Sequence, residues 1–174
     1  MPSDMLNIIL VMMLKFNLNK NINKANILYY ISDIDSTLLS IYDIDINGGN
    51  LTKENKEYLT KMYILQRKGD YLKYIYINDY GEEVIRNDIF ISVYEYIFGE
   101  VLLENEDVIL PNLQMEKFYI DQREIIDFYI KENNIVVLVE YISKFSNIEF
   151  ITNVEYTLKI SNKNRCFLYS FVVK

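Results

Sequence analysis

The chain has 174 residues, is 51% hydrophobic and carries a net charge of −7, so it can close one core, or a small core with a subdomain, and lacks the basic footprint of non-specific nucleic-acid binding. It contains no histidine, which excludes Ser-His and Cys-His catalysis and histidine-based zinc sites and leaves carboxylate chemistry. The single cysteine, Cys166, can form no internal disulfide and reads as a strand residue, so nothing implies an oxidising compartment and a cytoplasmic location is expected.

In chain order, the apolar run Leu6 to Leu14 is too short to cross a bilayer, and the preceding Asp4 makes a poor signal peptide. It is expected to pack on the core, followed by a polar linker over 17–24. The next stretch holds most of the chemistry. Ile27-Leu28-Tyr29-Tyr30-Ile31 runs into Ser32-Asp33-Ile34-Asp35-Ser36-Thr37. As a strand it would put Asp33 and Asp35 on one face, since residues two apart in extended chain point the same way. Ile27, Ile31, Ile34, Leu38 and Ile41 also follow helical spacing, which would make those acids a solvated face, so periodicity leaves helix and strand both open. Residues 41–50, with a second acidic pair at Asp43 and Asp45 before Gly48-Gly49, read as a loop or flap.

Thr52 is an expected N-cap, with Tyr58, Leu59, Met62 and Leu65 at helical spacing and a stop at Gly69. Tyr71 to Ile77 reads as a strand ending at Asn78-Asp79, which gives a strand–helix–strand unit with a parallel pair. The alternative is a hairpin turning at Asp79-Tyr80-Gly81, which would make the sheet antiparallel. Glu82 to Phe90 is a strand or a helix before the apolar run Val93 to Phe98 and a break at Gly99. Val101 to Leu103 and Val108 to Leu110 read as a short hairpin closed by Pro111. Asp121 with Glu124, ahead of Ile125, Ile126, Tyr129 and Ile130, predicts a helix over 122–132. Ile135 to Ile142 reads as a strand, and alternation over Val154 to Ile160 and Phe167 to Val173 predicts a hairpin.

The motif Asp33-Ile34-Asp35-Ser36-Thr37-Leu38-Leu39 after an apolar run resembles the first motif of the haloacid dehalogenase superfamily. The order of elements over 27–135 is similar to the first half of a Cof-type phosphatase of that superfamily: the flap, the helix opened by Leu51-Thr52, the strand Tyr74 to Ile77, then Tyr96 to Leu103 leading into a cap. The resemblance implies an α/β fold, a Rossmann-like partial parallel sheet with a small α+β cap, divided into a core over 1–99 and a cap-like segment over 100–174. It also implies a phosphomonoester hydrolase working through an aspartyl-phosphate. Asp33 would be the nucleophile and Asp35 the general acid and base, both holding Mg²⁺, with a small phosphorylated metabolite as substrate.

The chain also departs from that pattern. Asn78 stands where the family binds substrate phosphate through Thr or Ser, and the following Asp79 would repel an anion. The family's later lysine and final acidic motif have no counterpart before Lys174, so a truncated or degenerate, inactive member is the expectation attached to the resemblance. An exposed sheet edge in such a member would favour homo-oligomers. Two further readings stand beside it: a non-catalytic interaction or assembly protein of α+β type with an antiparallel sheet, and a small-molecule sensor laid out like PAS or Cache domains. The discriminating feature is the partner of Tyr71 to Ile77.

Overall fold

The computed structural model describes residues 24–40, 51–103, 105–113, 120–131, 134–145, 148–161 and 165–174. The expectations for 1–23 and for the flap at 41–50 lie outside them. Helix α1 (Lys24–Ser40) is followed by α2 (Lys53–Gln66), the single turn α3 (Lys68–Tyr71) and a 3-10 turn (Leu72–Tyr74). Strands β1 (Ile75–Ile77) and β2 (Glu83–Ile85), helix α4 (Asn87–Phe98) and strand β3 (Val108–Ile109) come next. The chain ends in β4 (Gln122–Lys131), β5 (Asn134–Phe145), β6 (Ile148–Ile160) and β7 (Cys166–Val173).

Both sheets are antiparallel, β1-β2-β3 and β4-β5-β6-β7, each in sequence order. The expected Rossmann-like parallel sheet does not form, for two local reasons. The stretch 27–32, expected as its first strand, lies within a helix. Tyr71 to Ile77 contributes only three residues of strand, and these pair with β2 through Ile75↔Ile85 and Ile77↔Glu83. Gly81, at φ 79°, takes the left-handed position that closes this hairpin.

Helix α1 is covered on two sides, which its sequence supports. Ile27, Tyr30, Ile31, Ile34 and Leu38 repeat at three- and four-residue steps, and Asp35 and Leu39 extend the buried surface around the helix. One side meets α2 and α4. The other lies on the four-stranded sheet, with Lys24 over the Phe128 ring at 5.7 Å and Tyr30 bonded to β7. One contiguous core holds residues from Ile27 to Phe171, on both sides of position 99.

Helix α2 opens with a reciprocal cap. The Thr52 hydroxyl accepts from the Asn55 N–H, and the Asn55 side chain accepts from the Thr52 N–H. The helix closes at Arg67, two residues short of Gly69, which sits inside α3. Gly99 does end α4, at φ 64° in the left-handed conformation of a C-cap.

The helix expected over 122–132 is strand β4. A register shift between Ile125 and Asp127 sets Arg123, Ile125, Phe128 and Ile130 toward the core, a two-three-two spacing that imitates a helical stripe. Val108–Ile109 pairs with β2 rather than with Val101 to Leu103, so the short hairpin expected there is absent. The hairpin of β6 and β7 forms as expected, with its own shift between Thr157 and Leu158 that buries Leu168 in place of Phe167.

Candidate functional site

Residues two apart on a helix are separated by about 200° around its axis, so the two acids singled out by the sequence cannot share a face once their segment is helical. Asp33 points to the helices and Asp35 to the sheet. The one-face constellation expected of them is corrected accordingly.

Asp35 is fully buried, at 0% exposure, and its carboxylate is held in a two-point grip by Arg123 of β4: Nε donates to Oδ2 at 2.5 Å and Nη2 to Oδ1 at 3.1 Å. Burial pushes its carboxyl above the ordinary value of 3.8, against the downward pull of Arg123 and of hydrogen bonds from Ser36 and Tyr141. The same pair raises the Arg123 guanidinium. Beside them the Tyr141 and Tyr156 hydroxyls bond to each other at 2.8 Å, and burial pushes both phenols far above their usual range. A charged pair in this position costs desolvation, offset only by its close geometry and its surrounding hydrogen bonds.

Asp33 is part-exposed. Its Oδ2 accepts from the Tyr63 hydroxyl at 2.6 Å and the Tyr96 hydroxyl at 2.8 Å, while Arg67 Nη2 lies 3.3 Å from Oδ1. The same guanidinium also donates to the Asp33 carbonyl and lies 3.9 Å from the centre of the Tyr63 ring. Burial, then the hydrogen bond to Asp33, raises both phenols well above ordinary tyrosine. Next along α1, the Thr37 and Ser36 hydroxyls donate to Gln66 Oε1 at 2.5 and 3.1 Å, completing a polar seam between α1 and α2.

Mg²⁺ does not fit this donor set. Asp35 is sealed from water with both oxygens engaged by one cation, and Asp33 is engaged by a second cation and two phenols. Hard divalent cations take several oxygen ligands converging on one point. Among the described residues, no group of three His, Cys, Asp or Glu side chains converges in that way.

Asn78, the expected phosphate contact, lies in the β1–β2 turn. Its Oδ1 accepts from the Tyr80 and Glu82 N–H groups at 3.0 Å, and its Nδ2 donates to the Glu82 carboxylate at 3.0 Å. The carboxamide is spent on folding its own loop. It belongs to a different part of the molecule's hydrogen bonding from either aspartate.

The described residues also form concave regions. An open cleft of about 190 Å³ is lined by Asn26, Tyr29, Tyr30, Tyr96, Arg165, Cys166 and Phe167, where α1, α4 and the start of β7 meet. A groove of about 430 Å³ runs along the small sheet between Ile77, Glu82, Glu83, Ile109, Leu110 and Pro111. Sequence reading found none of the partners Arg67, Arg123, Tyr63 and Tyr96. Sequence alone held no clear signal for Arg123: plain alternation puts Asp127 and Lys131 in phase with Ile125 as well, and only the register shift after Ile125 leaves Arg123 as the charged residue on the inward face of β4. No described helix is long and apolar enough to cross a membrane. Comparisons of the chain with protein-family models, with curated proteins and with solved structures return no match.

Proposed function

We propose that this chain is a non-catalytic interaction protein. The observation that carries the reading is the opposed and saturated state of the two aspartates. Each is matched to its own arginine, on opposite faces of one buried helix, in the manner of groups that fix packing. The parallel sheet whose strand ends would present the aspartyl nucleophile is also not there.

The groove along β1-β2-β3 supports the interaction itself. Ile77 and Ile109 are 60% and 47% exposed on strands at the two edges of that sheet, and they flank the carboxylates of Glu82 and Glu83. Glu83 is ion-paired with Lys68, while among the described residues the Glu82 carboxylate accepts from the neutral Asn78 amide and has no cationic partner. An apolar floor with an acidic rim, on a chain of charge −7, suits a partner segment that offers an apolar side chain flanked by cations.

Two measurements test this reading. Wild-type protein is expected to show no magnesium-dependent turnover of p-nitrophenyl phosphate, and Asp33→Asn and Asp35→Asn are expected to lower the melting temperature only. Turnover lost in a folded Asp33→Asn variant would reinstate the aspartyl nucleophile. In crosslinking from a native extract, Ile77→Asp with Ile109→Asp is expected to abolish adducts that Ile151→Asp, on the four-stranded sheet, leaves unchanged. Adducts insensitive to the groove pair would sink the assignment of that surface.

A further inference from the structure

The cleft between α1, α4 and β7 carries an inference of its own, independent of the interaction groove. Four aromatic rings line it, and three of them, Tyr30, Tyr96 and Phe167, are fixed from behind. The Tyr30 hydroxyl donates to the Ile97 carbonyl at 2.6 Å and accepts from the Leu168 N–H at 2.9 Å, so its hydrogen bonding is complete and the ring is a wall. Tyr96 is anchored by its bond to Asp33 and meets Tyr30 edge-on with 6.1 Å between ring centres. Phe167 lies against Gly99, where even a Cβ atom would come within 2.5 Å of its ring.

The polar groups at this cleft are in a different state. Among the described residues, the Arg165 guanidinium and the Asn26 carboxamide have no hydrogen-bond or ion-pair partner, although the rest of the chain's described arginines, Arg67, Arg86 and Arg123, are each paired with an aspartate. The Tyr29 ring stands 75% exposed beside them. The one thiol in the lining, Cys166, is held protonated by burial and adds no charge. The cleft thus combines rigid aromatic walls, one unpaired planar cation and one amide, in a volume suited to a single ring.

We propose that this cleft binds a single aromatic ring bearing a carboxylate, with the ring against Tyr30, Tyr96 and Phe167 and the carboxylate in the fork of Arg165, supported by Asn26. Guanidinium and carboxylate match in two parallel hydrogen bonds, and aromatic rings set edge to face add to the burial of the ring. The same chemistry has two sources, a free aromatic acid or the carboxyl terminus of a chain ending in phenylalanine.

The experiment is titration of the full chain with 3-phenylpropionate, followed by amide chemical-shift changes, with 3-phenylpropanol and propionate as the uncharged and ringless controls. Saturable shifts centred on Asn26, Tyr29 and Cys166 are expected for phenylpropionate alone. Arg165→Gln, a substitution at an exposed site, is expected to weaken binding about tenfold. The tripeptide Gly-Gly-Phe and its C-terminal amide separate the sources: tighter binding of the free-acid peptide than of phenylpropionate assigns the site to a chain terminus, and equal or weaker binding assigns it to a free acid. Absence of saturable shifts at millimolar phenylpropionate, equal binding of phenylpropanol, or unchanged affinity in Arg165→Gln would each overturn the proposal.

Discussion

Asp33 and Asp35 differ by two positions on one helix, yet one sits in a half-open seam between helices and the other in a dry interface with a sheet. Asp33 shares its charge among Tyr63, Tyr96 and Arg67, with water at one side. Asp35 is shut off from solvent and has Arg123 as its counter-ion, supported by hydrogen bonds from Ser36 and Tyr141. The lesson concerns replaceability. A carboxylate with three neighbours and solvent can lose one of them, whereas a buried carboxylate with one counter-ion cannot.

The hardest test of that contrast is Arg123→Ala. It leaves Asp35 charged and uncompensated in the core and is expected to cost about 3–5 kcal/mol in urea denaturation. The paired replacement Asp35→Leu with Arg123→Met is expected to recover most of the loss, because it removes the desolvation cost together with the attraction. A double variant as unstable as Arg123→Ala would show that the pair stabilises the fold beyond what apolar packing supplies.

The pH dependence sharpens the same point. Since burial raises the Asp35 pKa above 3.8, the folded chain keeps a proton that the unfolded chain has already released. Its contribution is therefore fully present below the unfolded pKa and is lost as pH rises through the folded one. Melting temperatures are expected to fall, relative to those of Asp35→Asn, as pH rises above the ordinary carboxylate value of 3.8. An identical slope in the two proteins would place the Asp35 pKa at its ordinary value.

On the other face, Tyr63→Phe and Tyr96→Phe each remove one hydrogen bond to Asp33 while leaving a second phenol, Arg67 and water. Each is expected to cost about 1 kcal/mol, and the double variant more than their sum, because the remaining phenol is then gone as well. Smallest of all is Arg86→Ala. The Arg86–Asp88 pair has a two-point geometry like that of Arg123 but lies in open solvent, with 53% and 59% of the side chains exposed. It is expected to shift stability by less than about 0.5 kcal/mol, which isolates burial as the variable.

Parts of the fold were legible because their cause is local. Thr52 and Asn55 cap α2 within four residues, Gly99 takes a left-handed φ that few other residues accept, and apolar residues alternate along the sequence of both β6 and β7, although the shift in β7 buries Leu168 in place of Phe167. Where reading failed, two arrangements gave the same letters. In β4 the Asp121 and Glu124 capping pattern and the spacing of Ile125, Ile126, Tyr129 and Ile130 suited a helix, whereas the strand turns Ile125 and Ile130 inward and leaves Ile126 and Tyr129 exposed. In α1 the run Ile27 to Ile31 suits a buried strand as well as a helix buried on two sides, and the motif-like Asp33-Ile34-Asp35 followed from the first choice. Arg67 and Arg123 were invisible as partners because they stand 34 and 88 residues from their aspartates.

By itself the sequence determined what the chain cannot use: with no histidine and one cysteine, its side-chain polar chemistry is confined to carboxylates, hydroxyls, phenols, amides, cations and a single thiol. It also determined the Thr52 cap of α2, the stop of α4 at Gly99 and the hairpin of β6 and β7, since these depend on the φ preferences and hydrogen bonds of adjacent residues. Tertiary structure alone decided that 27–39 is a helix, and with it that the two acids face apart. The deciding contacts are long-range, Asp35 to Arg123 and Tyr30 to Ile97 and Leu168, and their free energy outweighs the small local difference between helix and strand.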